Sequence, residues 1–321
     1  MSSTTKFRFL AIALIACLPG QAMAIGYFEV FNEADAANGD ASLTFLETVA
    51  TDGTTAYSFL RDTSSADVGG VTAFNGAFST VSTPADWALT GSTFDLAAGN
   101  GVAVVGNVLR FVSFFDNNVY EINIGTGAVT EVVTEAAIDA AAGVNANVSA
   151  VFETQADGTI YSIESQSDQL LVISPSNAVS VEINTADLDA LLGGTSIGGI
   201  GVDGDTIYLG SNSSDSLVAW DAATNTGSTV LTEAQVEAAT DDVDGTAGFG
   251  DIFKAPDGLV YFYETDSDYI LSFDPSDPAG TLTAVITEAE LAAGPGSDTI
   301  NQLAYFDGRL SWTDTSLGFY S

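Results

Sequence analysis

Gly198-Gly199-Ile200-Gly201-Val202, Asp203-Gly204-Asp205 and Thr206-Ile207-Tyr208-Leu209-Gly210 follow one another as an apolar run, a tight turn and a second apolar run. A polar loop, Ser211 to Asp215, leads into Leu217-Val218-Ala219-Trp220, and a turn through Asn225-Thr226-Gly227 leads into Ser228-Thr229-Val230-Leu231. Short runs rich in β-branched and aromatic residues, bounded by Gly, Asp and Asn, read as strands. Four in succession predict a four-stranded antiparallel sheet. The turn recurs along the chain as Asp52-Gly53, Gly106-Asn107, Asp157-Gly158, Asp257-Gly258 and Asp307-Gly308. Such dipeptides supply the positive φ values that two-residue hairpins require, so a tight hairpin is expected at each.

The fourth strand runs into Leu231-Thr232-Glu233-Ala234-Gln235-Val236, and this phrase also recurs. Its other copies are Phe31-Asn32-Glu33-Ala34-Asp35, Ser82-Thr83-Pro84-Ala85-Asp86-Trp87, Val133-Thr134-Glu135-Ala136-Ala137-Ile138, Ile183-Asn184-Thr185-Ala186-Asp187-Leu188 and Ile286-Thr287-Glu288-Ala289-Glu290-Leu291. Each reads as a helix start. A Thr or Asn oxygen accepts from a first-turn amide, and in five copies an acid or amide three residues on reaches back to the cap. The copy at Thr134 lacks that reciprocal partner. In four copies an apolar residue before the cap (Val133, Ile183, Leu231, Ile286) can staple onto one within the helix (Ile138, Leu188, Val236, Leu291). The caps step along the chain by 51, 51, 50, 48 and 55 residues. A repeat of about fifty residues made of four strands predicts an all-β, six-bladed β-propeller with a short capped helix after each outer strand.

After Asp307-Gly308 only Arg309 to Thr313 and Leu317 to Tyr320 remain, too few strands to finish a blade. Tyr27-Phe28-Glu29-Val30-Phe31 precedes the first cap as outer strands do elsewhere, so the amino-terminal strand is expected to complete the last blade and close the ring. On the runs Gly198 to Leu209 and Asp157 to Glu164, the chain resembles NHL-type and SMP-30-like six-bladed propellers. The resemblance implies a fold, covering 25–321 as one domain, and leaves function to be read from the site.

Residues 1–24 form a separate signal. Lys6 and Arg8 precede an apolar run from Phe9 to Leu18, and Ala22-Met23-Ala24 offers a small-x-small cleavage site. That is a secretory leader, too short to span a bilayer. Leu14-Ile15-Ala16-Cys17 also fits a lipobox, which would make Cys17 a lipidated first residue. Both readings export the protein to the periplasm or beyond.

All 43 acidic residues follow Ala24 while two of the six basic ones precede it, so the remainder carries a net charge of −39. Nucleic acid is excluded as a partner, since nothing could neutralise its phosphates. The charge keeps the chain soluble, monomer included, and attracts cations. Cys17 is the one cysteine, so no disulfide holds the domain. There is no His, which removes Ser-His-Asp and Cys-His systems, the usual zinc sites and the commonest general base. Arg61, Arg110, Lys254 and Arg309 are spread over different repeats and form no cationic cluster. Gly193-Gly194 and Gly198-Gly199 lack a phosphate-binding Lys and read as bends and close strand approach.

Carboxylates remain. Asp168, Asp215 and Asp268 occupy one column, seven residues after Tyr161, Tyr208 and Tyr261, in acidic loops that follow the second strands. They read either as caps of their own turns or, with the denser Asp241, Asp242 and Asp244, as collectors of Ca²⁺. Glu47, Glu153, Asp251 and Asn301 lie on first strands and could line the central channel, where the resemblance to metal-dependent lactonases implies Glu, Asn and Asp ligands. Two functions are therefore expected: a non-catalytic binding or scaffold propeller, with a protein, glycan or small molecule as partner, or a metal-dependent hydrolase.

Overall fold

The computed structural model describes residues 29–32, 36–37, 43–62, 68–83, 85–86, 102–113, 116–145, 148–194, 196–240, 247–293, 300–314 and 318–321. The expected leader with Cys17, and the Asp241, Asp242 and Asp244 cluster, lie outside these residues. Six four-stranded antiparallel sheets make up the fold, five of them from consecutive strands. Their inner strands are Leu43–Thr51, Val102–Val105, Val148–Thr154, Ile197–Asp203, Phe249–Lys254 and Ile300–Phe306. The sixth sheet joins the last three strands of the chain to the first, Glu29–Asn32, through the pairs Phe31↔Phe319 and Asn32↔Gly318. The ring is thus closed by the two ends of the chain, as the strand count required.

A blade is apolar on both faces, so it buries them only by stacking on neighbours. Six separate core clusters mark the six seams between blades. Tyr57, Phe59, Phe111 and Tyr120 fill the first seam, and Val49, Leu60, Phe306 and Phe319 fill the closing one. Leu209, Val218, Phe262 and Phe273 are among the fully buried side chains of the seams on either side of the fourth blade. A buried arginine reinforces another seam. Arg110, on the second strand of the second blade, holds Glu121 at 2.7 Å on its own sheet and donates to the Ser174 carbonyl of the third blade at 3.1 Å.

Four of the six expected helices form where their caps stand, and those expected after Asn32 and Thr83 run outside the described residues. Glu135–Ala142, Thr185–Leu192, Glu233–Thr240 and Glu288–Ala292 follow four of the outer strands. Thr287 and Glu290 make the full reciprocal box, with Thr287 Oγ1 accepting from the Glu290 N–H at 3.3 Å and Glu290 Oε2 accepting from the Thr287 N–H at 2.9 Å. Thr134 accepts from the Ala137 N–H at 3.3 Å and has no return partner, as Ala137 dictates. At Thr232 the return bond is present, Gln235 Oε1 accepting from the Thr232 N–H at 2.9 Å. All four apolar staples are buried pairs within single clusters. A β-bulge prepares each staple: in five blades the register between third and outer strands shifts by one residue just before the cap, as at Leu217↔Leu231 and Val218↔Thr229. The extra residue bends the outer strand so that Leu231 and its counterparts turn into the seam.

The turns depart from the expectation of uniform two-residue hairpins. Asp307-Gly308 obeys it, with φ of 48° and 77° between the paired Phe306 and Arg309. In the fourth blade the two-residue loop is Gly204-Asp205, between Asp203 and Thr206. Asp157-Gly158 and Asp257-Gly258 instead sit inside longer loops closed by Thr154↔Ile160 and Lys254↔Val260. There the Asp side chain supplies the turn itself, its Oδ1 accepting from the N–H two residues on at 2.8 Å in Asp157 and 3.0 Å in Asp257. Gly198-Gly199, expected to permit close approach, lies within an inner strand rather than a turn. A Cβ on Gly199 would fall 1.7 Å from the carbonyl oxygen of Gly250, so only glycine lets the fourth and fifth inner strands lie this close.

Candidate functional site: the axial cavity

Where the six inner strands converge they enclose a cavity of about 470 Å³, to which every blade contributes. Its wall is mainly apolar, from Val49, Val102, Val104, Val202, Phe253 and Leu303, and it reaches the face of the Asp-Gly turns at Asp52, Ala156 and Pro256. Volume and lining match the usual small-molecule pocket, apolar with a few placed polar groups.

The polar groups come from neighbouring strands. Glu153 lies on the wall, 8% exposed, and its Oε1 accepts from Gln155 Nε2 at 2.9 Å. Lys254, also on the wall, donates to Asp203 Oδ2 of the preceding blade at 2.6 Å. Gln302 faces the first blade, its Oε1 accepting from Thr48 Oγ1 at 2.5 Å and from the Val49 N–H at 3.2 Å. Asp251 performs the same task one seam earlier, Oδ2 accepting from the buried Leu303 N–H at 2.5 Å. Inner strands are sheet edges whose amides need acceptors. Asp251 and Gln302 supply them across the seams, each tying its blade to the next.

A ring of phenols stands behind this wall. Tyr57, Tyr161, Tyr208 and Tyr261 occupy one position on four second strands, paired with Ala50, Glu153, Gly201 and Phe253. Burial first, and then the nearby turn aspartate, raises each phenol: Asp52 acts on Tyr57, Asp203 on Tyr208 and Asp257 on Tyr261, with Glu182 ahead of Asp157 for Tyr161. Tyr208 is pushed up to about 12. Tyr261 donates its proton to Asp257 Oδ2 at 2.7 Å, which holds the phenol neutral. For Asp52 burial acts upward, but the N–H groups of Thr55 and Thr54 and the Thr54 hydroxyl outweigh it, leaving the carboxyl below its ordinary range.

The residues expected from sequence fall into three groups. Glu153 reaches the cavity and Asp251 a seam beside it. Glu47 and Asn301 lie on inner strands, their side chains outside the described residues, while their neighbours Thr48 and Gln302 meet across the closing seam. Asp168, Asp215 and Asp268 have φ of 53°, 47° and 57°, the left-handed conformation of the turn after the second strand. Burial, followed by Asp189 and Glu164, raises the Asp168 carboxyl. Two of those loops are organised by buried glutamates, Glu164 accepting from the N–H groups of Gln166 and Ser167 and Glu264 from those of Gly248, Asp266 and Ser267, and in the third the Ser211 hydroxyl accepts from the Ser214 N–H at 3.2 Å. Among the described residues no three acidic, His or Cys side chains converge as metal ligands would. The Lys254–Asp203 pair was missed in the sequence because the partners are 51 residues apart, though a lysine on an inner strand of so acidic a chain was a signal.

No family model matches the chain, and no curated protein sequence matches it. Solved structures do. A virginiamycin B lyase from Staphylococcus aureus aligns with a TM-score of 0.53 at 12% identity, over 92% of this chain and 99% of that one. A luciferin-regenerating enzyme aligns at 0.51 and 11% identity, over 90% and 94%. YCF48 bound to a D1 peptide aligns at 0.52 and 10% identity, over 87% and 76%. The chain is a six-bladed β-propeller. At these identities the likeness is one of fold, in keeping with the NHL-like and SMP-30-like resemblance, and propellers of this shape include both enzymes and a peptide binder.

Proposed function

We propose that the protein is an exported, non-catalytic binding propeller that receives a small molecule in its axial cavity. The observation that carries this reading is the cavity itself, an apolar chamber walled by all six inner strands and fitted with a few polar groups at defined positions. Two ionisable groups at and beside it help to hold the ring: Lys254 on the wall is paired with Asp203 of the preceding blade, and Asp251 in the adjoining seam caps an amide of the next blade. A rigid closed ring with a lined axial chamber suits recognition, which needs placed contacts and no activated group. Calorimetric titration with compact organic molecules tests it. Binding to the native protein, lost in Ala103→Phe, which fills the chamber from the second blade, is the expected result. Metal-dependent turnover of a lactone or phosphoester, lost in Glu153→Gln with the fold intact, would assign the hydrolase instead.

A further inference from the structure

We propose that Asn75-Gly76 is a self-modifying site: its own backbone converts Asn75 to isoaspartate and thereby loosens the seam at which the ring closes. The sequence carries Asn-Gly steps at Asn38, Asn75 and Asn100, and the second lies among the described residues. Asn75, Gly76 and Ala77 form an exposed three-residue loop between the paired Phe74 and Phe78 of the first blade. Gly76 has a φ of 72°, and a Cβ there would meet nothing within 4 Å. The loop is therefore open on that side, and no side chain of its own shields the glycine nitrogen. The Asn75 N–H is engaged, donating to the Ala77 carbonyl at 3.3 Å, whereas the Asn75 carboxamide and the Gly76 N–H make no hydrogen bond among the described residues.

The chemistry needs nothing but water. The Gly76 nitrogen loses its proton to solvent and attacks Asn75 Cγ; the carboxamide C–N bond breaks, and ammonia leaves with a proton taken from solvent. Water then opens the resulting succinimide ring at one of its two carbonyls. Breaking the bond between Cγ and the Gly76 nitrogen gives aspartate. Breaking the bond from the main-chain carbonyl carbon of Asn75 gives isoaspartate, whose main chain runs through Cγ, and this opening predominates because that carbonyl is the more electrophilic. The sum is carboxamide plus water to carboxylic acid plus ammonia, with nothing oxidised or reduced. The Asp-Gly turns compete poorly: aspartyl side chains cyclise more slowly than a carboxamide, and those of Asp52, Asp157 and Asp257 are held by N–H groups of the residues that follow them.

The position gives the reaction its consequence. The Phe74 and Phe78 rings stand 4.9 Å apart and pack on the closing cluster of Val49, Leu60, Phe306 and Phe319. Isoaspartate adds a carbon to the main chain of a loop whose length sets the register of this pair. Phe78 then no longer sits opposite Phe74, and the first blade grips the sixth less firmly.

Peptide mapping by mass spectrometry, after the purified protein has stood in mildly alkaline buffer, tests the site. Isoaspartate should accumulate at position 75 ahead of aspartate, and none should form there in Asn75→Gln, whose longer side chain must close a less favoured ring, or in Asn75→Ser, which has no carboxamide. Urea unfolding of the same aged samples reads the consequence, as a midpoint that falls with conversion in the native protein and stays higher in both variants. Because the variants keep Asn38 and Asn100, the difference reports position 75 alone. If Asn75 stays intact in the folded protein while the urea-unfolded chain converts, the fold blocks the site and the proposal is overturned. If Asn75 converts and the midpoint stays level with that of the variants, the seam is untouched and the loosening falls.

Discussion

Gln302→Leu should cost about 2–4 kcal/mol, and the arithmetic comes from one seam. Gln302 Oε1 accepts from the Thr48 hydroxyl at 2.5 Å and the Val49 N–H at 3.2 Å, and all three residues are buried. Leucine keeps the bulk and removes the acceptor. The buried Val49 amide then loses that acceptor, at about 1–3 kcal/mol, and the bond to Thr48 adds about 1 kcal/mol. Thr48→Val removes only the second bond and should cost about 1 kcal/mol. Because the two side chains share one hydrogen bond, the double variant should cost less than the sum, by about 0.5–3 kcal/mol of coupling. Urea unfolding followed by tryptophan fluorescence measures this as a lowered midpoint with an unchanged slope. A loss under about 0.5 kcal/mol for Gln302→Leu, the size of an ordinary surface change, or strict additivity in the cycle, would refute the claim that this glutamine ties the sixth blade to the first.

Thr287→Ala should lower stability by about 1 kcal/mol, since it removes one half of a complete capping box, and Thr134→Ala should cost less; equal losses in thermal melts would mean the return bond from Glu290 adds nothing. Tyr208 and Tyr261 carry phenols raised above the ordinary 10.0, so the stability they contribute is full below pH 10 and is lost as pH rises through the folded value, about 12 for Tyr208. Absorbance titration of tyrosinate should therefore show a late fraction ionising together with alkaline unfolding, and a single midpoint near 10 in the folded protein would contradict the burial. The melting temperature should rise from low to molar NaCl as screening relieves self-repulsion, and CaCl₂ should raise it further at matched ionic strength if the acidic loops hold the ion. A flat response to NaCl would dismiss the repulsion, and equal action of the two salts would leave those loops as turns.

The architecture was legible because its signals are local. Caps, staples and turn dipeptides recur at a fixed step, each specified within a few residues, and the short final repeat revealed which blade the amino-terminal strand must complete. The channel wall was less legible, for a reason visible at Gln302. Side chains alternate along a strand, so a one-residue error moves a prediction to the other face. The inner strands also carry register shifts, at Leu46/Thr48 and at Ile300/Gln302, which break any count of alternation. Sequence reasoning accordingly named Glu47 and Asn301 where the observed contact joins Thr48 and Gln302. Asp251 was found, but its acceptor role depends on an amide 52 residues away, which no local pattern displays.

The closing sheet also dictates an order of events. Synthesis delivers Glu29–Asn32 before every other strand of the ring and Gly318–Tyr320 after them all, with 285 residues between the two segments. Joining ends that far apart costs about 3–4 kcal/mol more than closing a five-residue hairpin, because closure entropy grows with the logarithm of loop length. The earliest strand therefore waits unpaired until the intervening blades have stacked and brought its partner within reach. Its late pairing makes the last blade a test of completeness: a chain cut short by even one strand offers Glu29–Asn32 nothing to join, and leaves an adhesive edge by which a chaperone or protease can recognise it.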